Sequence, residues 1–467
     1  MLSKKISRRT FLASTAVATM GAALAACAPT TAPIEVGEVA APVNGEPAVA
    51  APKEAVTVRF MSRAGATNIP TYERVIAEEF ESRNENIKVN VEPAPDGWTD
   101  LLLTQMVAGT AVDLFQAWGN IFFNWTERGL LLDCQPFVER DMTREEIEDY
   151  NDFQWEGLMM KGVRVGMPKY INIMTLTVNV DLWEKYGVPI PPEDGDYDHD
   201  DYTEWMAALT ENARAAGDND VWAGWLPAWS WDRFWNHVHM FDGQVVNELY
   251  GTEYMLDKPE AQDALQWMYD MSFTWNYHAQ PAQVENRWYR AAFNPGLIMT
   301  AESGTYPINN DREFVEAGIR YDYRHVPKGP TGKRSVLGTT DAWSITKQTK
   351  HPEESWKLLH FLSGPIFQLE AVVKQEGIIP VLKSLTEPFF DIVRDVQPNL
   401  RNVRLETISE VFEWGYAEDT PWFCNQIDAV DLIRPALEKV FTVGDAGPEH
   451  FIEIADEVNA TQAGCVP

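Results

Sequence analysis

The chain has 467 residues, 45% of them hydrophobic, which at ~150 residues per domain is enough core for two or three domains. Seventy acidic residues against 38 basic ones give a formal net charge of −32. Such a surface repels nucleic acid and anionic lipid headgroups, so neither is expected as a partner of the folded body.

The N-terminus reads Ser7-Arg8-Arg9-Thr10-Phe11-Leu12, then a mildly apolar Ala/Thr-rich run, then Leu24-Ala25-Ala26-Cys27. The first block is a twin-arginine export signal. The second is a lipobox, cleaved before a cysteine that is then diacylated. A spanning anchor is excluded because the run from Leu12 to Ala26 falls short of the ~20 residues a bilayer needs. Residues 1–26 are therefore read as a twin-arginine lipoprotein signal peptide and Cys27 as the lipid attachment site. Removing Lys4, Lys5, Arg8 and Arg9 with it leaves the body more acidic still. Residues 27–55 are rich in Ala, Pro and Val and carry no aromatic residue, so they are read as a flexible linker.

Order begins at Val56, where Val56, Val58 and Phe60 alternate as in a strand. Tyr72, Val75, Ile76 and Phe80 follow at helical spacing, and Ile87, Val89 and Val91 alternate again. Asp100–Ala108 reads as helix and Val112–Trp118 as a buried strand. Phe122–Arg128 reads as a helix stopped by Gly129, and Thr143 with Glu146 forms a capping box. Strands alternating with helices indicate an α/β domain with a largely parallel sheet, whose ligands sit at the carboxyl ends of strands. Ile173–Val178 starts a second pattern, dominated by helices. The tail carries two amphipathic helices, one through Val430, Ile433, Leu437 and Phe441, the other through Phe451, Ile454 and Val458.

Four cysteines are present. With Cys27 lipidated, Cys134, Cys424 and Cys465 remain. A Cys134–Cys424 disulfide is open to an exported protein, with buried thiols the favoured alternative. No CxxC occurs. Asp194, Asp196, Asp198 and Asp200 alternate like the start of a Ca²⁺ loop, but His199 stands where the central glycine belongs and Trp205 where the closing glutamate belongs. A solvated acidic loop is the better reading, and no metal or cofactor is expected. His237 and His239 are assigned structural roles. There is no P-loop, H-E-x-x-H or G-x-S-x-G.

Six ordered blocks carry a resemblance. They are Tyr72-Glu73-Arg74 through Asn86-Ile87-Lys88-Val89; Leu103–Phe115, with Val112 where proline is usual; and Arg128–Asp133. The fourth runs from Met167-Pro168-Lys169-Tyr170 through Val178–Trp183 to Pro191-Pro192. The fifth is Gly296–Tyr306, with tyrosine where tryptophan is usual. The sixth runs from Val326–Pro330 through Leu337–Ile345 to Gly377–Val381. From about Val56 to Ala460 the chain resembles the family 1 extracellular solute-binding proteins of ABC importers. The resemblance implies an α/β chain with a two-lobed periplasmic-binding-protein type II fold, each lobe a mostly parallel sheet flanked by helices, with the ligand cleft between lobes. Lobe 1 would comprise 56–170 and 327–364, and lobe 2 171–326 and 365–467, with extra C-terminal helices. Chain crossings are expected near Pro168–Ile173, Tyr323–Gly329 and Phe361–Phe367.

A sugar site needs flat aromatic faces and planar polar groups. Loops that line the cleft in relatives supply Arg63, Trp118, Asn120, Tyr170, Glu302, Tyr306, Asp341 and Trp343. The segment Val221–Trp235 holds Trp222, Trp225, Trp229, Trp231 and Trp235; most are expected in a core, with Trp229 and Trp231 as stacking platforms. The competing assignment for each residue is a packed aromatic or a turn cap. The expected function is a lipid-anchored, monomeric receptor that captures a carbohydrate, catalyses nothing, and delivers its ligand to ABC permease subunits driven by a separate ATPase. Rival readings are the same fold with a peptide, polyamine, phosphodiester or metal chelate, a secreted glycoside hydrolase, or an adhesive lipoprotein.

Overall fold

The computed structural model describes residues 55–226, 228, 230–285, 292–293, 295–304, 314 and 316–466. The signal peptide, Cys27, Trp229 and Tyr306 lie outside the described residues. The strands are β1 (Val56–Ser62), β2 (Ile87–Pro93), β3 (Leu114–Trp118), β4 (Met159–Met160), β5 (Val163–Arg164), β6 (Met167–Asn179), β7 (Thr300–Gly304), β8 (Tyr321–Arg324), β9 (Val336–Ile345) and β10 (Ala417–Glu418). β4 and β5 form a separate pair; the others form one sheet ordered β2-β1-β3-β9-β6-β7, with β8 also on β6 and β10 on β9.

β1 pairs in parallel with β2 and β3, as the alternating strand–helix pattern predicts. Around β6 the pairing is different. β9 is antiparallel to β3 and β6, and β6 is antiparallel to β7 and β8, so the sheet is mixed rather than mostly parallel. The cause is that β6 and β9 are neighbours running in opposite directions between two cores. Met167 and Tyr170 of β6 pack in one core, with Phe60, Tyr72 and Trp356. Ile173, Leu176 and Val178 pack in the other, with Trp183, Trp235 and Leu265. β9 makes the return passage, from Val336 and Leu337 in the second core to Trp343 and Ile345 in the first.

Along β6 the chain passes from the first core, with Tyr170, to the second, with Ile171 and Ile173. The other two passages are displaced. Tyr323 and Val326 still belong to the second core, so the chain crosses along β9 and not at Tyr323–Gly329. Phe367, Val381 and Leu382 still belong to the first core and Phe389 to the second, so the third passage follows Leu382 and not Phe361–Phe367. The Pro/Gly signals at those places mark turns within a lobe; a turn residue reports reversal of the chain, not a change of core.

The β6–β9 register shifts between Pro168 and Tyr170. This bulge inserts Lys169, and bulges re-aim side chains next to functional sites. Lys169 points into the first lobe, where its ammonium meets Glu376 at 3.0 Å with both side chains 2% exposed. Tyr72 Oη donates to the same carboxylate at 2.6 Å.

A second contact joins the lobes. Trp422, in the loop after β10, stacks on Phe123 of the first lobe at 4.5 Å and 6°, and Tyr250 stacks on the same ring at 5.8 Å and 17°. The disulfide is Cys424–Cys465, which ties this loop to the C-terminal tail. Cys134 is a buried thiol pushed up to about 12 by burial, so the Cys134–Cys424 pairing is not formed. The acidic run proves to be helix-start chemistry. Asp198 accepts from Asp200 N at 2.9 Å and Asp201 N at 3.1 Å, capping the helix His199–Ala215, and Asp196 pairs with Lys328 at 2.8 Å.

Candidate functional site

Side chains of a strand alternate between its faces. On one face of the β6–β9 ribbon this brings Tyr170, Asn172 and Met174 together with Leu337, Thr339 and Asp341, and they floor a cavity of 260 Å³. Arg63 and Trp118 of the first lobe and Ser230 and Arg233 of the second form its walls. The opposite face, through Ile171, looks onto a separate recess of 410 Å³ lined by Phe390, Ile408 and Phe412.

The first-lobe wall is tightly cross-braced. Arg63 follows β1, and its backbone N–H donates to Gln116 Oε1 at 3.2 Å. Its guanidinium lies 4.1 Å over the Trp118 ring and 5.5 Å from Trp98, and 3.5 Å from Asp341 Oδ1. Gln116 Nε2 reaches the same oxygen at 3.5 Å. Arg63 therefore occupies one face of the indole expected to stack on a ligand. Asp341 is 6% exposed. Burial first, and the Asp341 charge next, push the Tyr170 phenol well above its ordinary value, so it stays protonated and can donate. The Lys169 ammonium lies 5.0 Å over the Tyr170 ring, so the bulge and its Glu376 pair fix this phenol from behind.

The second-lobe wall is the start of the helix Trp231–Met240. Arg233, on its first turn, donates from Nη1 to the Met174 thioether at 2.6 Å. On the floor, Asn172 Nδ2 donates to Thr339 Oγ1 at 2.6 Å.

The structure thus gathers Arg63, Trp118, Tyr170 and Asp341. Trp343 is fully buried in the first core against Phe367, and Trp231 is buried in the second against Phe234. Glu302 is buried on β7, held by Asn236 Nδ2 at 3.0 Å and facing His237 Nε2 at 2.9 Å. Asn120 lies in the helix Gly119–Glu127, its side chain outside the described residues. Sequence reasoning missed Asn172, Met174, Leu337, Thr339, Ser230 and Arg233. The strand residues were recoverable, because they stand two or four positions from Tyr170 and Asp341. A larger groove of 600 Å³ lies between the stretch around Met159 and the loops carrying Tyr250 and Trp422. Polar groups there are already engaged with one another: His239 with Glu418, and Glu418 with Lys333 at 3.6 Å.

Two lobes with antiparallel strands passing between them, and a polar, aromatic cavity where they meet, define a solute-binding protein. The chain belongs to the bacterial extracellular solute-binding protein family, whose model matches residues 65–368; it is a binding protein and not an enzyme. A binding protein of Brucella abortus strain 2308 is 23% identical over 340 residues, covering 72% of this chain and 79% of the relative. An ABC substrate-binding protein of Listeria monocytogenes, solved with cycloalternan, superposes with a TM-score of 0.73 at 22% identity, covering 88% of this chain and 99% of that one. Maltose-bound MalE3 of T. maritima gives 0.67 at 19% identity over 87% and 100%. UgpB of Mycobacterium tuberculosis with glycerophosphocholine gives 0.70 at 16% identity over 87% and 98%. Among the described residues no helix is long and apolar enough to cross a membrane.

Proposed function

We propose that this chain is a lipid-anchored receptor that captures a carbohydrate outside the cell membrane and passes it to the permease of an ABC importer with a separate ATPase. The observation that carries this reading is the convergence of Arg63, Trp118, Tyr170 and Asp341 on the β6–β9 floor. A carboxylate, two amide or hydroxyl groups and a phenol suit a hydroxyl rim, and the cavity opens where both lobes contribute. The sugar-bound Listeria and T. maritima structures favour the same ligand class. The lobes close by hinge bending along β6 and β9, in the manner of periplasmic binding proteins. Cys27 carries the lipid and residues 27–55 space the monomeric body from the membrane.

A thermal-shift panel of mono- and oligosaccharides tests the ligand class, since a ligand of the folded state alone raises Tm. A saturable rise with one sugar is expected; no rise with any sugar rejects the reading. The Mycobacterium structure with glycerophosphocholine supports a second reading, a glycerophosphodiester receptor, so that compound belongs in the panel. Replacement Cys27→Ser should release the protein from the membrane fraction, and retention there rejects the anchor.

A further inference from the structure

Trp422 and Phe423 are neighbours in the chain and serve different cores. Trp422 is buried with Phe122, Phe123 and Trp125 of the first lobe. Phe423 is buried in the second-lobe core, with Ile433 and Leu437. The Trp422 side chain thus bridges the lobes without a passage of the main chain. On the second lobe, Cys424 N–H donates to Gly251 O at 2.8 Å, which sets the loop beside Tyr250. The disulfide ties Cys424 to Cys465. Asn425 N–H donates to Gln462 Oε1 at 2.8 Å and Gln462 Nε2 to Asn425 O at 3.1 Å, so the tail grips the loop beside the disulfide as well. On the first lobe, Lys161 lies 5.6 Å over the rings of both Phe123 and Tyr250, pairs with Glu127 at 3.0 Å and donates to Cys424 O at 3.4 Å. Lys161 and Tyr250, which meet across the lobes, are two of the five non-glycine residues with positive φ among the described residues, at 47° and 59°. Side chains with a Cβ avoid that region, and where the surroundings enforce it the site is often a clamp or a switch.

We propose that Trp422, Tyr250, Phe123 and Lys161 form a latch that keeps the lobes together before any ligand arrives, and that the Cys424–Cys465 disulfide holds the latch in place. This rests on the hinge of the receptor reading and not on which solute is bound. Without the covalent tie, docking the indole would also have to order the loop, at an entropy cost for each residue fixed. With the tie, the loop is ordered in advance. Each aromatic pair shifts the open-to-closed ratio by about two- to tenfold. The closed form is then the resting state, and the ligand enters during excursions to the open one.

Small-angle scattering of the purified chain without sugar, fitted as a mixture of open and closed forms, tests this. The native protein should scatter as mainly closed. Trp422→Ala, Lys161→Ala and the Cys424→Ser/Cys465→Ser pair should each raise the open-to-closed ratio by about two- to tenfold. A dithiol added to the native protein should open it as the serine pair does. Phe123→Ala combined with Trp422→Ala should open the molecule no further than either alone, because both break one contact, whereas separate packing defects would add. Lys161→Ala removes no core side chain and decides the matter if the aromatic variants fold poorly. A native profile that is already open, or profiles unchanged in Lys161→Ala and in the serine pair, overturn the latch. The measurement needs no ligand, so its failure is distinct from failure of the sugar panel.

Discussion

The two walls of the cavity are built differently. In the first lobe, Arg63, Trp118 and Asp341 stand at or just beyond strand positions whose direction is fixed by the pleat, and Gln116 braces Arg63 and Asp341 from between them. In the second lobe the wall is the first turn of a helix. There Trp231, Phe234, Trp235 and Val238 are all buried, the i, i+3, i+4, i+7 stripe of a helix that gives its apolar face to a core. Arg233 lies off that stripe and lines the cavity. The aromatic at the end of a strand, Trp118, lines the cavity. An aromatic on a helix belongs to the core unless its neighbours at helical spacing are polar.

The largest test of this contrast sets one indole against another. Trp343→Ala should cost ~3–5 kcal/mol of stability, as for a large aromatic removed from a packed core, measured by denaturant unfolding. Loss of ligand binding with unchanged stability would reverse its assignment. Next, Asp341→Ala should weaken ligand affinity by about ten- to a hundredfold, the ~1.5–3 kcal/mol of a hydrogen bond to a charged group, read by calorimetry with whichever sugar the panel identifies. An unchanged affinity would remove the first-lobe wall from the site.

A third test separates the lobes by pH. Burial lowers His278 from 6.5 to about 3 and His325 to about 4, and both lie in the second lobe. Tyr202 Oη faces His278 at 3.1 Å, and Glu410 lies 3.0 Å from His325. The unfolded chain binds a proton at each histidine near pH 6.5 while the folded chain does not. Their contribution is therefore complete above pH 6.5 and is lost as pH falls toward 4, by about 1.4 kcal/mol per pH unit for each. Thermal melts from pH 7 to 4.5 should show this decline, and a flat Tm across that window would contradict it. The smallest effect is expected for Trp118→Ala. It removes the surface under Arg63, worth ~0.5–1.5 kcal/mol, so affinity should fall about three- to tenfold with little change in Tm; a loss of stability like that of Trp343→Ala would put Trp118 in the core.

The sequence made the first lobe legible because its strands are short, alternating and separated by capped helices. The Thr143–Glu146 capping box is present as read. It was less informative where two lobes share strands. β6 is a run of 13 residues with every one buried, so hydrophobicity alone could not reveal that its two ends serve different cores. The antiparallel β6–β9 pairing was hidden for the same reason, since partners far apart in the chain leave no local trace. Nor could spacing choose among three cysteines; the pairing of Cys424 depends on the C-terminal tail folding back beside its loop. Gly338 shows the kind of constraint that only packing reveals: a Cβ there would come within 2.7 Å of the Phe153 ring.

The stacking of Trp422 and Tyr250 on Phe123 has a practical consequence. Parting the lobes pulls the Trp422 indole away from its hydrocarbon neighbour and into water, which shifts its emission to longer wavelength. The molecule carries its own optical gauge of opening, legible without any attached dye by comparing the native chain with Trp422→Phe.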